Sequence, residues 1–488
     1  MVKHGAKPPY GPEAILSLHT AFLAASPRAT PPPTPWASVA IHGGVALLWL
    51  LLFLPAFFAT GAWAWATGIV YVSYDTALLA FTAWHARTLL QPTIAPPGGI
   101  RPTLGVIIAA RNEAGALPLT LAALLGGTDT PDLILIADDG STDATAQLLA
   151  REYGLGPAPQ RTLGPASPYE PRLRWLRLPQ GGKARALNAA VELVTTDVVV
   201  TIDADTLVRP GAIGAMRAAF AEPGLVAATG VLIPVCGPSA SGRLFGWFQR
   251  YEYVRNFLSR YAWMRLDGLL LISGAFGGFR RAALLEVGGF DPDCLVEDYE
   301  LIHRLKRHAM LHGHRWSTRV LGDAVAITDA PSNIRAFLSQ RRRWFGGFLQ
   351  TQWWYRSMVG DARFGRLGTA MLPVKAFDTM QPIYGLTALM LLVGLLATGR
   401  AHILPAFIII TLAKIAIDLT FHLWSIGLYR RWTGEAPRGG AQAILASFVE
   451  PFSFQILRHT AAALGWVTAL SGKQTWGVQT REAVVARA

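Results

Sequence analysis

The residues of this chain that could do chemistry stand at the ends of apolar runs. Asp203 and Asp205 are two apart, directly after the run 196–202 (TDVVVTI). Asp138 and Asp139 follow the run 132–137, and Glu297 and Asp298 stand side by side after Val296. Two carboxylates in a DxD spacing can share a hard cation that bridges a diphosphate. A single carboxylate there has a simpler use as the cap of the next helix, which Asp139, Ser141 and Thr142 could each supply. Capping does not account for a pair two apart at the end of an apolar strand. Lys183 opens a helix-patterned segment, where a cation together with free N–H groups suits phosphate. Gln340, Arg343 and Trp344 are spaced i, i+3, i+4 and so share one helix face. An arginine there can fork onto phosphate, and an indole gives a flat surface for a sugar ring.

Other phosphate-binding loops are excluded. The GGKAR stretch, 181–185, lacks both the hydroxyl residue after its lysine and the earlier glycine of a Walker loop. No GxGxxG opens a helix after the first strand-like run, which argues against a dinucleotide fold. The +13 net charge collects near the apolar spans, as the positive-inside rule expects, and no nucleic-acid motif accompanies it. Two cysteines, Cys236 and Cys294, are too few for a disulfide scaffold or a zinc ribbon.

The elements that must position these groups alternate. Residues 103–110, 132–137, 172–178 and 196–203 have strand character, and 115–126, the stretch up to Tyr153 and 183–194 have helical period. This βαβα order predicts an open α/β sheet, whose ligands sit at the carboxyl ends of the strands. Hydrophobic residues make up 52% of the chain and charged ones 15%, against about 25% charged in ordinary soluble domains. The surplus lies in apolar runs at 39–58, 62–84, 372–397 and 403–427, each near the roughly 20 residues a membrane span needs. The run 441–470 carries Glu450, Arg458 and His459 at its centre, which favours a helix lying in the interface, with a fifth span as the alternative. Lys414 and Asp418, four apart in the fourth run, can pair or line a polar wall. The expected organisation is a Pro-rich disordered segment (1–38), two transmembrane helices (39–86), a cytosolic catalytic domain with an interfacial helix (87–366), two more transmembrane helices (367–428), and an interfacial helix with a tail (429–488).

In chain order the motifs are VIIAARNE, ADDGSTD, GGKARALNAA, DAD, SGAFGGFRR, VED and QRRRW. In this order they resemble the membrane-embedded, processive family 2 glycosyltransferases: the cellulose, chitin, hyaluronan and poly-N-acetylglucosamine synthases. The resemblance covers about residues 100–350, the flanking spans and a tail motif. It implies a GT-A type α/β glycosyltransferase domain inserted between transmembrane helices. It implies a nucleotide-diphosphate sugar donor, UDP-N-acetylglucosamine or UDP-glucose, and Mg²⁺ or Mn²⁺ as cofactor. It also implies an inverting transfer to a growing β-linked polysaccharide, with transfer of one sugar to a membrane lipid as the alternative.

By motif, Glu113, Asp138 and Asp139 resemble the residues that hold the nucleoside, and Lys183 the lysine near its phosphates. Asp203 and Asp205 resemble the metal-binding DxD, with Asp203 also touching the donor and Asp205 the more direct ligand. Asp298 resembles the general base, and Glu297, Gln340, Arg343 and Trp344 the residues at the acceptor and diphosphate. Trp476 and Arg481 resemble a gating motif at the cytosolic mouth. Ala109 and Arg111 stand where the family usually has proline and tyrosine. The glycines of SGAFGGFRR either let backbone approach the acceptor or form a tight loop into a helix. The implied partners are the donor, the glycan or lipid acceptor, the bilayer of the plasma membrane and an accessory export subunit, with no nucleic acid.

Overall fold

The computed structural model describes residues 12–90, 101–435 and 440–472. The apolar runs form one mixed sheet of eight strands: β1 (Leu104–Ala110), β2 (Leu133–Asp139), β3 (Leu173–Leu178), β4 (Val198–Asp203), β5 (Thr206–Val208), β6 (Leu225–Val235), β7 (Phe276–Arg280) and β8 (Ser317–Asp329). Their order is β3-β2-β1-β4-β7-β6-β8-β5. The first four strands are parallel; β1, β2 and β4 are buried nearly throughout and so read as continuous apolar runs, while β3 at the edge keeps Arg174 and Arg177 half-buried. The register brings the acidic residues to one edge: Ala109 of β1 lies opposite Asp203 of β4, and Ala110 opposite Asp138 of β2. Antiparallel β7 then pairs with β4 and carries the chain into the second half of the site. The α/β sheet expected from the sequence is therefore present.

Among the described residues, three helical stretches are long and apolar enough to cross a membrane: Trp36–Phe57, Leu367–Ala397 and Ala401–Thr433. The helix Ala66–Ala86, read from the sequence as part of a further span, is not among them; it carries Tyr71, Tyr74, Asp75 and His85. Lys414 is paired with Asp418 on its own helix and reaches across to Asp75 at 2.7 Å, so the charge is tied between helices. The run 441–470 is broken into Gly440–Val449 and Phe454–Leu470. The second of these crosses helix Ile334–Trp354 where Gly346 and Gly465 meet; a Cβ on Gly465 would lie 3.0 Å from the Gly346 nitrogen. Glu450 and Arg458 are paired as well, with each other at 3.7 Å, and Glu450 with Arg255 at 3.2 Å.

The N-terminal segment differs from the expectation of disorder. Pro12–Ala25 is a helix, with Leu18 and Phe22 buried. Gly288, with φ +83°, makes the docking possible: a Cβ there would come within 2.2 Å of the Phe22 backbone nitrogen. Beyond that helix, Arg28 bridges Asp291 (3.2 Å) and Asp293 (3.1 Å). Composition gives no sign of this helix because its order comes from tertiary contacts.

Candidate active site

The loops after β1 and β2 are stitched together. Asn112, with φ +59°, accepts the Thr142 N–H at 2.8 Å, and its own N–H donates to Ser141 Oγ at 3.0 Å. Asp138 accepts the Ser141 N–H at 2.8 Å, and the Glu113 N–H donates to Thr145 Oγ1 at 3.1 Å. Asp139 accepts from Gly181 N (2.7 Å) and Gly182 N (2.9 Å), just before the helix Lys183–Leu193. Gly182 sits at φ +94°, a conformation glycine tolerates best. Burial pushes the Asp139 carboxyl up, against the pull of those two N–H groups. The first two motifs and the GGKAR turn thus form one continuous rim.

Lys183 points from the start of its helix onto Asp203 and lies 3.8 Å from Glu297. Burial opposes its charge, but Asp203, Glu297 and Asp298 outweigh burial and raise its pKa. Thr120 Oγ1 donates to the Ala204 carbonyl at 2.7 Å and fixes the turn between Asp203 and Asp205. Asp205 is buried, and its carboxyl is pushed well above the ordinary range by burial and by the Asp203 and Asp329 carboxylates. Three carboxylates so close in low dielectric, all oxygen donors, fit a hard divalent cation of the Mg²⁺ or Mn²⁺ kind.

Glu297 and Asp298 occupy the first turn of helix Glu297–His312. Asp298 accepts the Gly274 N–H at 2.8 Å and the Tyr299 N–H at 2.9 Å, so both its oxygens are held. Gly274 is the close-approach glycine of its stretch: a Cβ there would lie 3.2 Å from Asp298 Oδ2 and 3.3 Å from Lys183 Nζ. Gly277 and Gly278 instead belong to β7, where a Cβ on Gly278 would meet Met216 at 2.7 Å. Burial, together with neighbouring Asp298, pushes Glu297 up against the pull of Lys183.

The QRRRW stretch lies on helix Ile334–Trp354, capped by Asn333, which accepts the Ala336 N–H at 2.9 Å. Gln340, Arg343 and Trp344 turn to the same cavity, and Gln340 Oε1 is buried without a hydrogen-bond partner among the described residues. Arg343 donates to the Leu295 carbonyl at 3.2 Å. Arg341, although one of three consecutive arginines, does not face solvent. It is buried, paired with Glu252 at 2.7 Å, and lies 4.2 Å from the Trp344 ring centre, while Arg342 is exposed.

One cavity of about 180 Å³ therefore brings together Lys183, Asp203, Asp205, Glu297, Asp298, Gln340, Arg343 and Trp344. Asp139 lines a second cavity with Arg161, Gln180 and Arg185. Glu113 and Asp138 line neither of the two. Trp476 and Arg481 lie outside the described residues. Sequence reasoning missed Tyr253, Asn256 and Arg260, on helix Ala240–Met264, and Asp329 at the end of β8. Burial pushes the Arg260 guanidinium down to about 10, and its Nη1 has no hydrogen-bond partner among the described residues. The only available signal was Asp329 closing an alternating run; nothing local marks Arg260.

Comparison with known proteins bears on the family and the fold. The family model described as "Glycosyl transferase family 2" matches residues 105–288, and that described as "Glycosyl transferase family group 2" matches 198–426. An N-acetylglucosaminyltransferase of Rhizobium sp. (strain N33) is 25% identical over 302 residues, 57% of this chain and 60% of the relative. A poly-beta-1,6-N-acetyl-D-glucosamine synthase of Staphylococcus aureus (strain MSSA476) is 28% identical over 246 residues, 49% of this chain and 53% of the relative. The chain thus spans 60% and 53% of the length of these two curated relatives. A mannosyltransferase from Pyrobaculum calidifontis, solved with GDP-mannose and Mn²⁺, superimposes with a TM-score of 0.57 at 19% identity. The match covers 84% of this chain and 100% of that one, a likeness of fold. With its GT-A type sheet, its ordered run of motifs and both family models on residues 105–426, the chain belongs to the family 2 glycosyltransferases.

Proposed function

We propose that this protein is a membrane-bound inverting transferase that extends a β-linked glycan from UDP-N-acetylglucosamine, with its catalytic domain on the cytosolic face. The observation that carries the reading is the single cavity joining the Asp203/Asp205 pair to Asp298 and to the Gln340, Arg343 and Trp344 face. The N-acetylglucosaminyl relatives support the sugar, and the three apolar helices support the membrane setting. Processivity, coupled export and an accessory export subunit rest on the QxxRW pattern beside those helices.

In this reading the nucleoside lies along the rim formed by Glu113, Asp138 and Asp139, and the diphosphate reaches toward Lys183. Asp203 and Asp205 would hold Mg²⁺ or Mn²⁺. Such a cation, when bound, supplies charge neutralisation at the leaving diphosphate. Asp298 takes the proton of the acceptor hydroxyl, whose oxygen bonds to the anomeric carbon as the bond from that carbon to the diphosphate breaks. UDP leaves with the electron pair, and attack from the opposite face inverts the anomeric centre. The Gly274 and Tyr299 N–H groups orient the carboxylate for this. Trp344 offers its ring to the acceptor sugar, with Gln340 beside it. Arg260 and Arg343 place positive charge around the site. Transfer of a single sugar to a lipid is the competing outcome.

The test is the product made by purified protein in lipid nanodiscs from UDP-N-acetylglucosamine. A high-molecular-weight, β-linked chain by size and NMR is expected. A lipid-sized adduct would remove processivity from the reading, and an α-linkage would remove inversion.

A further inference from the structure

A second group of ligating side chains lies at the opposite end of the helix that begins with Glu297 and Asp298. Glu286 ends the helix Arg281–Glu286, His308 lies in the last part of helix Glu297–His312, and His314 follows the turn at Gly313. Gly313, with φ +72°, reverses the chain, and the His314 N–H returns to the Ala309 carbonyl at 2.9 Å. That turn brings His314 back beside His308. His308 Nε2 lies 2.9 Å and His314 Nε2 3.1 Å from the same Glu286 Oε1, and the three ligating atoms are within 4.8 Å of one another. His314 stacks on Trp316 at 4.7 Å and 6°, and His308 on His312 at 4.0 Å, so the rings are held rather than free.

We propose that Glu286, His308 and His314 form a binding site for a Zn²⁺-class cation, separate from the acidic pair of the cavity. Two imidazoles and one carboxylate are the donors that suit zinc, copper or nickel, whereas Asp203 and Asp205 offer only hard oxygen. Donors around a tetrahedral zinc, bonded at about 2.0–2.2 Å, stand about 3.3 Å apart; the two Glu286–histidine spacings are a few tenths of an ångström shorter than this, and the two histidine nitrogens stand within 4.8 Å of each other. The way in is open: the side chains of Glu286 and His314 are 43% and 37% exposed, while His308 is 11% exposed. Burial also pushes His308 down, outweighing the pull of Glu286, and a neutral imidazole is the form that binds metal. A bound cation would clamp the far end of the helix carrying Asp298 to the helix that follows β7, the strand paired with β4. Its work there is structural, with a fourth position left to water. The alternative is a pair of histidine–carboxylate hydrogen bonds that need no metal.

Tag-free full-length protein in detergent, stripped with a chelator and kept in excess Mg²⁺ to occupy hard-oxygen sites, would be titrated with Zn²⁺ by calorimetry. The expected result is one zinc per chain, an upward shift of the thermal midpoint, and binding weakened at least about tenfold by Glu286→Gln or His314→Ala. Asp205→Asn is expected to keep this zinc. Equal zinc binding by wild type and both variants, or loss of the zinc in Asp205→Asn alone, would overturn the site. Should the variants fold poorly, Co²⁺ added to wild type decides: intense visible bands of tetrahedral coordination support the site, and their absence overturns it.

Discussion

Replacing Asp298 with asparagine keeps the shape of the side chain and removes its basicity. Both oxygens of Asp298 are held by N–H donors, from Gly274 at 2.8 Å and from Tyr299 at 2.9 Å. An asparagine amide in this place can accept only one of these bonds, so its NH₂ faces the other donor. Leaving one such donor unsatisfied costs about 1–3 kcal/mol of stability. Loss of a general base costs about 10²–10⁴ in rate, or about 2.7–5.4 kcal/mol of barrier. The two effects separate in assay. Asp298→Asn is expected to melt a few degrees lower, to bind UDP within a few-fold of wild type, and to release UDP in the presence of acceptor at least about 100-fold more slowly. Calorimetry with UDP, a thermal melt and a coupled UDP-release assay on one preparation read all three. Turnover within tenfold of wild type would refute the base assignment. Loss of UDP binding in step with turnover would make Asp298 a structural cap instead.

The site makes three more predictions. Asp205 has a carboxyl raised by burial and by Asp203 and Asp329, so the folded state binds the extra proton and the stability linked to it falls as pH rises through the raised pKa. Asp205→Asn should therefore stabilise metal-free protein at pH 7.5, by on the order of 1 kcal/mol, and lose the stabilisation by Mn²⁺; a lower metal-free midpoint than wild type would contradict this. Trp344→Ala should cut transfer to acceptor by about tenfold or more while changing UDP-sugar hydrolysis little, since a stacked ring is worth roughly 0.5–1.5 kcal/mol beyond its buried area; equal loss of both would return Trp344 to packing under Arg341. Arg260→Met removes a cavity-lining guanidinium whose Nη1 has no hydrogen-bond partner among the described residues, and should weaken UDP binding about tenfold or more if the guanidinium meets the diphosphate; unchanged affinity in a calorimetric titration would exclude that contact.

The parallel half of the sheet is legible in the sequence because β1, β2 and β4 are buried on both faces and read as unbroken apolar runs bounded by turn residues. Their carboxyl ends can be placed from the same pattern, which is how the residue order by itself singles out Asp138, Asp139, Asp203 and Asp205. The second half is less legible. Helix Ala240–Met264 mixes tyrosine, arginine and phenylalanine around its whole circumference, with buried Gln249 and Glu252, so no apolar stripe announces which face meets the site. Arg260 gains its place only when that helix packs beside β6 and β8. The N-terminal helix is illegible for a related reason: its anchor is the space above Gly288, more than 250 residues away in the chain. Arg341 looks like a surface charge in the sequence because its partner, Glu252, lies on a distant helix.

The central claim is that this cavity transfers sugar from a UDP-linked donor. Its most direct test supplies purified wild-type protein and Asp298→Asn with UDP-N-acetylglucosamine, UDP-glucose or GDP-mannose, each with Mn²⁺, and reads nucleotide release together with product size. The expected result is UDP release with a growing product from UDP-N-acetylglucosamine, little from the other donors, and almost none from the variant. GDP release from GDP-mannose with no response to either UDP-sugar, or equal release by wild type and variant, would contradict the claim.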